Sequence, residues 1–214
     1  MLHSLRAFLI NRLEAPLPGL DVQMEMSPPH RGRPDRNWVM EQNPRFAAVG
    51  IVVYPTAEGY KLVLTKRPSY PGVHSDQISF PGGQVEASDI HRAHTALRET
   101  EEEIGWPAPE LEILGYLSEL YIPPSNFLVQ PVVLYSTQIH PFQPDPLEVA
   151  AIIELPLVQL LDEKYKSTKS LEVKGFIFET PCYLFNDLLV WGATAMMLHE
   201  FEIIIAPYFE SRNR

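Results

Sequence analysis

The chain has 214 residues, 45% of them hydrophobic, which is enough for one domain with a sizeable core. With 17 Lys and Arg against 27 Asp and Glu the net charge is −10, which argues against general nucleic-acid binding, since that needs a basic footprint. No apolar run approaches the ~18 residues of a membrane span, and the single cysteine, Cys182, rules out an intramolecular disulfide and fits a reducing, cytoplasmic setting.

Residues 2–13 are predicted to form an amphipathic helix with Leu5, Phe8, Leu9 and Leu13 on one side, ended by Pro16 and Pro18. Its apolar stretch is short and interrupted by Asn11 and Arg12, so no signal peptide is expected. Residues 27–44 are rich in Pro, Arg and Asn and read as a solvated arm carrying Arg31, Arg33 and Arg36, with phosphate gripping as the minor reading. Strands are expected at 46–54 and 60–65, joined as a hairpin, and at 77–80. A helix follows, then strands at 111–121, 127–137 and 149–154, and a short helix at 156–164. A hairpin of 171–178 and 182–185 is expected to turn at Glu179-Thr180-Pro181, and a last helix to span 188–205 with Trp191 on it as a core residue. Domain boundaries are placed at 1–44 for the N-terminal helix and arm, 45–206 for the main domain and 207–214 for a tail.

The most informative stretch is Phe80-Pro81-Gly82-Gly83, followed by Arg98-Glu99-Thr100-Glu101-Glu102-Glu103-Ile104-Gly105. In the helix between, Ile90, Ala93, Leu97 and Ile104 mark one buried stripe. Ser88 is placed as N-cap and Asp89 at the positive end of the helix dipole. Gly105 suits a left-handed C-terminal cap, and Pro107 prevents continuation. At about 100° per residue Glu99, Glu102 and Glu103 share an arc of roughly 100° on the opposite side, so three carboxylates are expected on one exposed spot. A solvated acidic face is the commonplace reading. The Gly-Gly turn, the capped helix and the flanking Arg98 favour a magnesium-bound diphosphate instead, because Mg²⁺ takes oxygen ligands from carboxylates and phosphates.

These residues resemble the Nudix box: Gly83 as the first Gly, with Arg98, Glu99, Glu102, Glu103 and Gly105 completing its core. Asp89 stands where the first Glu is expected, and eight residues rather than seven separate it from Arg98. Thr100 and Trp106 occupy apolar slots. The longer spacing resembles that of the coenzyme A diphosphatase subgroup. So do Val63-Leu64-Thr65-Lys66-Arg67 and Asp76-Gln77-Ile78-Ser79-Phe80-Pro81-Gly82-Gly83 upstream, with Asp76 where Gly is usual, and Trp191-Gly192-Ala193-Thr194-Ala195 downstream.

The resemblance implies an α+β fold, an α/β/α sandwich with a mixed sheet. It implies Mg²⁺ or Mn²⁺ as cofactor, with Glu99, Glu102, Glu103 and the Gly83 carbonyl as ligands. Glu102, Glu103 and Arg98 are then catalytic, and Glu148 is an outside candidate for the base. Thr65, Lys66, Arg67, Gly82 and Gly83 are placed against the substrate, with Arg67 the best phosphate partner and His74 a weaker contact. The expected reaction is hydrolysis of coenzyme A or a thioester of it to 3′,5′-ADP and 4′-phosphopantetheine. Two rivals stay open: a Nudix enzyme for ADP-ribose, NADH or a nucleoside polyphosphate, and a non-catalytic Nudix ligand-binding module. No nucleic acid or membrane is expected as partner. Free, acylated and oxidised coenzyme A, the number of metal ions and the oligomeric state, a homodimer among the options, are left open.

Overall fold

Residues 46–54 run without a charged residue, Phe-Ala-Ala-Val-Gly-Ile-Val-Val-Tyr, the mark of a strand covered on both faces. The computed structural model describes residues 4–29, 31–69, 76–173 and 175–212, and in it this series is the central strand. In chain order the elements are α1 (Leu5–Glu14), α2 (Leu20–Glu25), α3 (Arg36–Glu41), β1 (Arg45–Thr56), β2 (Gly59–Lys66), β3 (Ile78–Ser79), β4 (Gly82–Gln84) and α4 (Arg92–Ile104). They continue with β5 (Glu112–Tyr116), β6 (Leu120–Ile122), β7 (Phe127–Tyr135), β8 (Ala151–Pro156), α5 (Leu157–Leu160), β9 (Lys166–Val173), β10 (Phe176–Phe185), β11 (Leu188–Trp191) and α6 (Gly192–Glu210).

The main sheet has the order β3-β2-β1-β7-β5, with β4 also on β1, β6 also on β7 and β8 also on β2. The β1–β7 pair is parallel and the others are antiparallel, so the sheet is mixed. Alternation along β1 sorts side chains between two cores. Ala48, Val52 and Tyr54 pack with Ala93, Ala96 and Ile104 of α4, while Ile51 and Val53 join Leu5, Leu9, Phe201 and Ile205 of α1 and α6. Helices therefore cover both faces, the α/β/α sandwich expected. A second sheet, β11-β10-β9, is antiparallel.

The N-terminal segment is pinned by a polar group inside the apolar core. Glu200 of α6 is fully buried and accepts from Gly19 N at 3.0 Å, Gln23 Nε2 at 2.8 Å and Ser118 Oγ at 2.6 Å. A buried carboxylate is tolerable when hydrogen-bonded this fully.

Several sequence expectations are corrected. The arm of residues 27–44 contains α3, capped by Asp35 Oδ1, which accepts from Asn37 N at 2.9 Å and Trp38 N at 3.0 Å. The strand expected over 111–121 is split into β5 and β6, with a register shift between Ile113 and Gly115. The β9–β10 hairpin turns at Gly175, whose φ of +79° suits a tight turn, and Pro181 lies inside β10 opposite Thr168. Residues 188–191 pair with β10 as a strand, so Trp191 ends β11 rather than lying on a helix, and α6 continues through Pro207 to Glu210.

Trp106, just past α4, is fully buried; it stacks on Phe142 at 5.2 Å and meets Tyr54 edge-on at 5.0 Å. Offset and edge contacts of this kind add to the area buried. Trp106→Ala is expected to lower unfolding free energy by about 3–5 kcal/mol, read from urea denaturation followed by circular dichroism.

Candidate active site

The site is assembled where β4, α4 and the end of β2 meet. β4 pairs with β1 through Gly82–Val49 and Gly83–Ala48, which brings the Gly-Gly backbone under α4. A Cβ on Gly82 would lie 2.5 Å from Ala48 O, and one on Gly83 would overlap the Glu99 carboxylate. Only glycine permits this approach.

The turn before α4 differs from the expected cap. The helix begins at Arg92, and the N-cap is His91, whose Nδ1 accepts from His94 N at 3.1 Å; Ser88 lies outside the helix and Ile90 is 84% exposed. The physical reason is Asp89, which folds inward. Its side chain is fully buried, and it accepts from Glu86 N at 2.9 Å, Thr95 Oγ1 at 2.9 Å, and Arg98 Nε and Nη2 at 3.2 and 3.1 Å. These bonds, that from Arg98 foremost, hold its carboxyl well below the usual carboxylate range. At the other end Gly105 adopts the left-handed conformation expected, with φ +75°, and its N donates to Glu101 O at 2.9 Å.

Arg98 distributes its remaining donors. Nη1 reaches Glu99 Oε1 and Glu102 Oε2, each at 2.9 Å, and Nη2 reaches Gln84 O at 3.2 Å. The guanidinium thus joins the turn, β4 and two box glutamates.

The three glutamates do not share one exposed spot. Glu99 is 9% and Glu103 3% exposed, both turned toward the sheet, whereas the Glu102 side chain is 56% exposed and bonded to Arg98. The third carboxylate facing Glu99 and Glu103 is Glu148: one oxygen from each of the three lies within 4.8 Å of the others. A turn delivers it. Asp145 N donates to Glu103 O at 3.3 Å, Val149 N to Asp145 O at 2.8 Å, and Ala150 N to Lys66 O at 2.8 Å, stitching residues 145–150 to both α4 and β2.

Glu103 accepts from Gly82 N at 3.3 Å and Thr65 Oγ1 at 3.2 Å. Burial nevertheless dominates and pushes its carboxyl up to about 7; Gly82 and Arg67 oppose the rise. Burial raises Glu99 too, against Arg98. Two desolvated carboxylates beside a third suit a hard divalent cation, which returns buried acids to their ionised form. Glu99, Glu103 and Glu148 therefore fit the Mg²⁺ or Mn²⁺ that the sequence implied.

At the neighbouring end of β2, Thr65 is buried and Lys66 Nζ pairs with Asp76 Oδ1 at 2.9 Å. Asp76 has φ +59°, a left-handed conformation that Gly takes freely and Asp tolerates. Arg67 N donates to Gln77 O at 3.0 Å, and its Nε is buried without a hydrogen-bond partner among the described residues. His74 lies outside the described residues. Of the arm arginines, Arg33 pairs with Asp21 and Arg36 with Glu119, while Arg31 donates to Tyr121 O.

The NUDIX domain description matches residues 44–170. The chain belongs to the Nudix hydrolase family. It is 31% identical over 180 residues to the Nudix hydrolase NudL of Photorhabdus laumondii, covering 83% of this chain and 90% of that one. It is 32% identical over 172 residues to the human mitochondrial coenzyme A diphosphatase NUDT8, covering 78% and 72%. The solved Nudix hydrolase RenU of M. smegmatis matches with a TM-score of 0.51 at 14% identity, over 77% of this chain and 87% of that one, a likeness of fold alone. Among the described residues no helix is long and apolar enough to cross a membrane.

The buried acids give this Nudix site a pH signature. The carboxyl of Glu103 titrates near 7 in the fold against 4.5 for the ordinary group, so the cation-free protein keeps this contribution below 4.5 and loses it as pH rises through 7. Added Mg²⁺ or Mn²⁺ competes with the proton. In thermal melts it should raise Tm more above about pH 7 than below about pH 5; an equal rise at both would contradict the buried-carboxylate site.

Proposed function

We propose that this Nudix hydrolase cleaves the diphosphate of coenzyme A or its thioesters, giving 3′,5′-ADP and 4′-phosphopantetheine. The observation that carries the reading is the meeting of two motifs. Thr65 Oγ1 donates to Glu103 Oε2 at 3.2 Å, and Thr65 pairs with Ser79, so the Thr65-Lys66-Arg67 strand end stands beside both Phe80-Pro81-Gly82-Gly83 and the glutamate helix. The likeness to the human coenzyme A diphosphatase supports the same substrate. A reducing, cytoplasmic setting goes with this reading, and Cys182 is buried as a small apolar residue.

In this reading Glu99, Glu103 and Glu148, with the Gly83 carbonyl, hold Mg²⁺ or Mn²⁺. The cation supplies neutralisation of the phosphoryl oxygens and a more acidic water. Arg98, anchored by Asp89, fixes the direction of Glu99 and holds Glu102 at the rim. Arg67 offers its unpaired Nε–H to a phosphate oxygen, a role its fork suits. Glu148 and Glu102 are the exposed carboxylates that can take a proton from the attacking water, Glu148 lying against the other two acids. The water oxygen bonds to one phosphorus, the bridging P–O bond breaks, and each product leaves with a terminal phosphate.

One observation favours a second substrate class. Asp76 already occupies Lys66, which lowers the positive charge left for a phosphate-rich ligand. ADP-ribose or NADH, each with one phosphate fewer than coenzyme A, is the alternative this favours.

The test is turnover of the purified full-length chain with Mg²⁺ or Mn²⁺ on coenzyme A, ADP-ribose, NADH and dinucleoside polyphosphates, with the products identified. Coenzyme A is expected to give the highest kcat/KM. Glu103→Gln is expected to lose roughly a hundredfold or more in kcat. Preference for another substrate would reject the coenzyme A reading, and full activity of Glu103→Gln would reject the site. Binding of coenzyme A without turnover would instead indicate a ligand-binding module.

A further inference from the structure

A cavity of about 130 Å³ lies under the N-terminal arm, away from the carboxylate centre, between α2, α3, β6 and the start of β7. Its lining includes the apolar Met24, Val39, Leu120 and Leu128. Arg31, Arg36 and one carboxylate, Glu119, line it as well.

The charges there do not cancel. Glu119 is shared by Arg36 of α3 and Arg92, the first residue of α4. Among the described residues that leaves Arg31 and Arg36 in the lining, with Arg92 beside it, against the one carboxylate of Glu119. Arg33, nearby in sequence, is already neutralised by Asp21. Arg31 has no acidic partner among the described residues; its bonds go to Tyr121 O and to Met196 Sδ at 3.0 Å. Burial alone brings its pKa down to about 10, so it remains cationic while losing water. A desolvated cation without a counter-charge is costly unless an anion shares its space. The excess is the more telling in a chain whose net charge is −10.

We propose that this cavity is a binding site for a phosphate group, held by the Arg31 and Arg36 guanidiniums, with the apolar lining taking the carbon skeleton that bears it. An arginine fork matches phosphate oxygens two at a time, which favours phosphate over carboxylate. The site is independent of the Nudix glutamates: it needs no divalent cation, and Arg67 takes no part in it.

The test is calorimetric titration of the full-length chain with inorganic phosphate, and separately with butyrate, in the presence of a chelator. Phosphate should bind saturably with a single stoichiometric site and more tightly than butyrate. Arg31→Gln should weaken phosphate by roughly tenfold or more, a change readable directly in Kd. Arg31→Lys should retain part of the affinity, and Arg6→Gln, which removes a guanidinium paired with Glu112 outside the cavity, all of it. Val39→Trp fills the cavity with Arg31 in place and should abolish binding, which decides the matter if Arg31→Gln fails to fold. Lack of saturable phosphate binding, binding that survives both Arg31→Gln and Val39→Trp, or loss of binding in Arg6→Gln would overturn the proposal. Tighter binding of butyrate would overturn the assignment to phosphate.

Discussion

The Gly82–Gly83 backbone lies directly against the carboxylates of α4, and the arrangement of the site depends on that contact. Any larger residue at Gly83 would meet Glu99. The approach closes water out over Glu103, gives it the Gly82 N–H, and raises its proton affinity through burial. It is possible because β4 is held to β1 in fixed register, while Ala93, Ala96 and Ile104 press α4 onto the same strand. Small residues at Ala93 and Ala96 allow helix and sheet to come close, and Trp106 fills the space beyond the helix end. Packing in the core thus sets the chemistry at the surface.

The second constraint is charge. Asp89 and Arg98 form a buried pair beneath the helix start, and Arg98 passes that fixed position on to Glu99, Glu102 and Gln84 O. A carboxylate in the slot where the family pattern has Glu therefore anchors the arginine here. The residues 145–150 turn is fixed just as firmly to Glu103 O and Lys66 O, which is why an exposed Glu148 sits opposite two buried acids.

Much of this was legible in the sequence. Hydrophobic patterning marked β1, β2, β3, β7, β8 and α4, and the box marked the glutamates, because both signals are local; β4, read only as a Gly-Gly turn, and the break between β5 and β6 were not. The misreadings arose where tertiary contacts outweighed local preference. Ser88 is a good N-cap by type, yet Asp89 is drawn inward by Arg98 and the helix starts at Arg92. A helical wheel put Glu102 beside Glu99 and Glu103, but it cannot show that the sheet covers two of them and leaves the third in water. Glu148 was reachable only as a carboxylate near a strand edge. The buried polar residues of α6, including His199, Glu200 and Glu202, carried no signal, since their partners lie far away in the chain. The arm read as a loop because its charges are paired with distant residues such as Glu119.

Glu99, Glu103 and Glu148 fit a single cation site, although only the first two belong to the glutamate helix. The most direct measurement is a Mn²⁺ titration of the full-length chain and of Glu148→Gln, followed by electron paramagnetic resonance of the free ion. Loss of a carboxylate ligand should weaken Mn²⁺ binding by roughly tenfold or more while leaving the melting curve of the cation-free protein in place. Unchanged Mn²⁺ affinity in Glu148→Gln would contradict the three-carboxylate site.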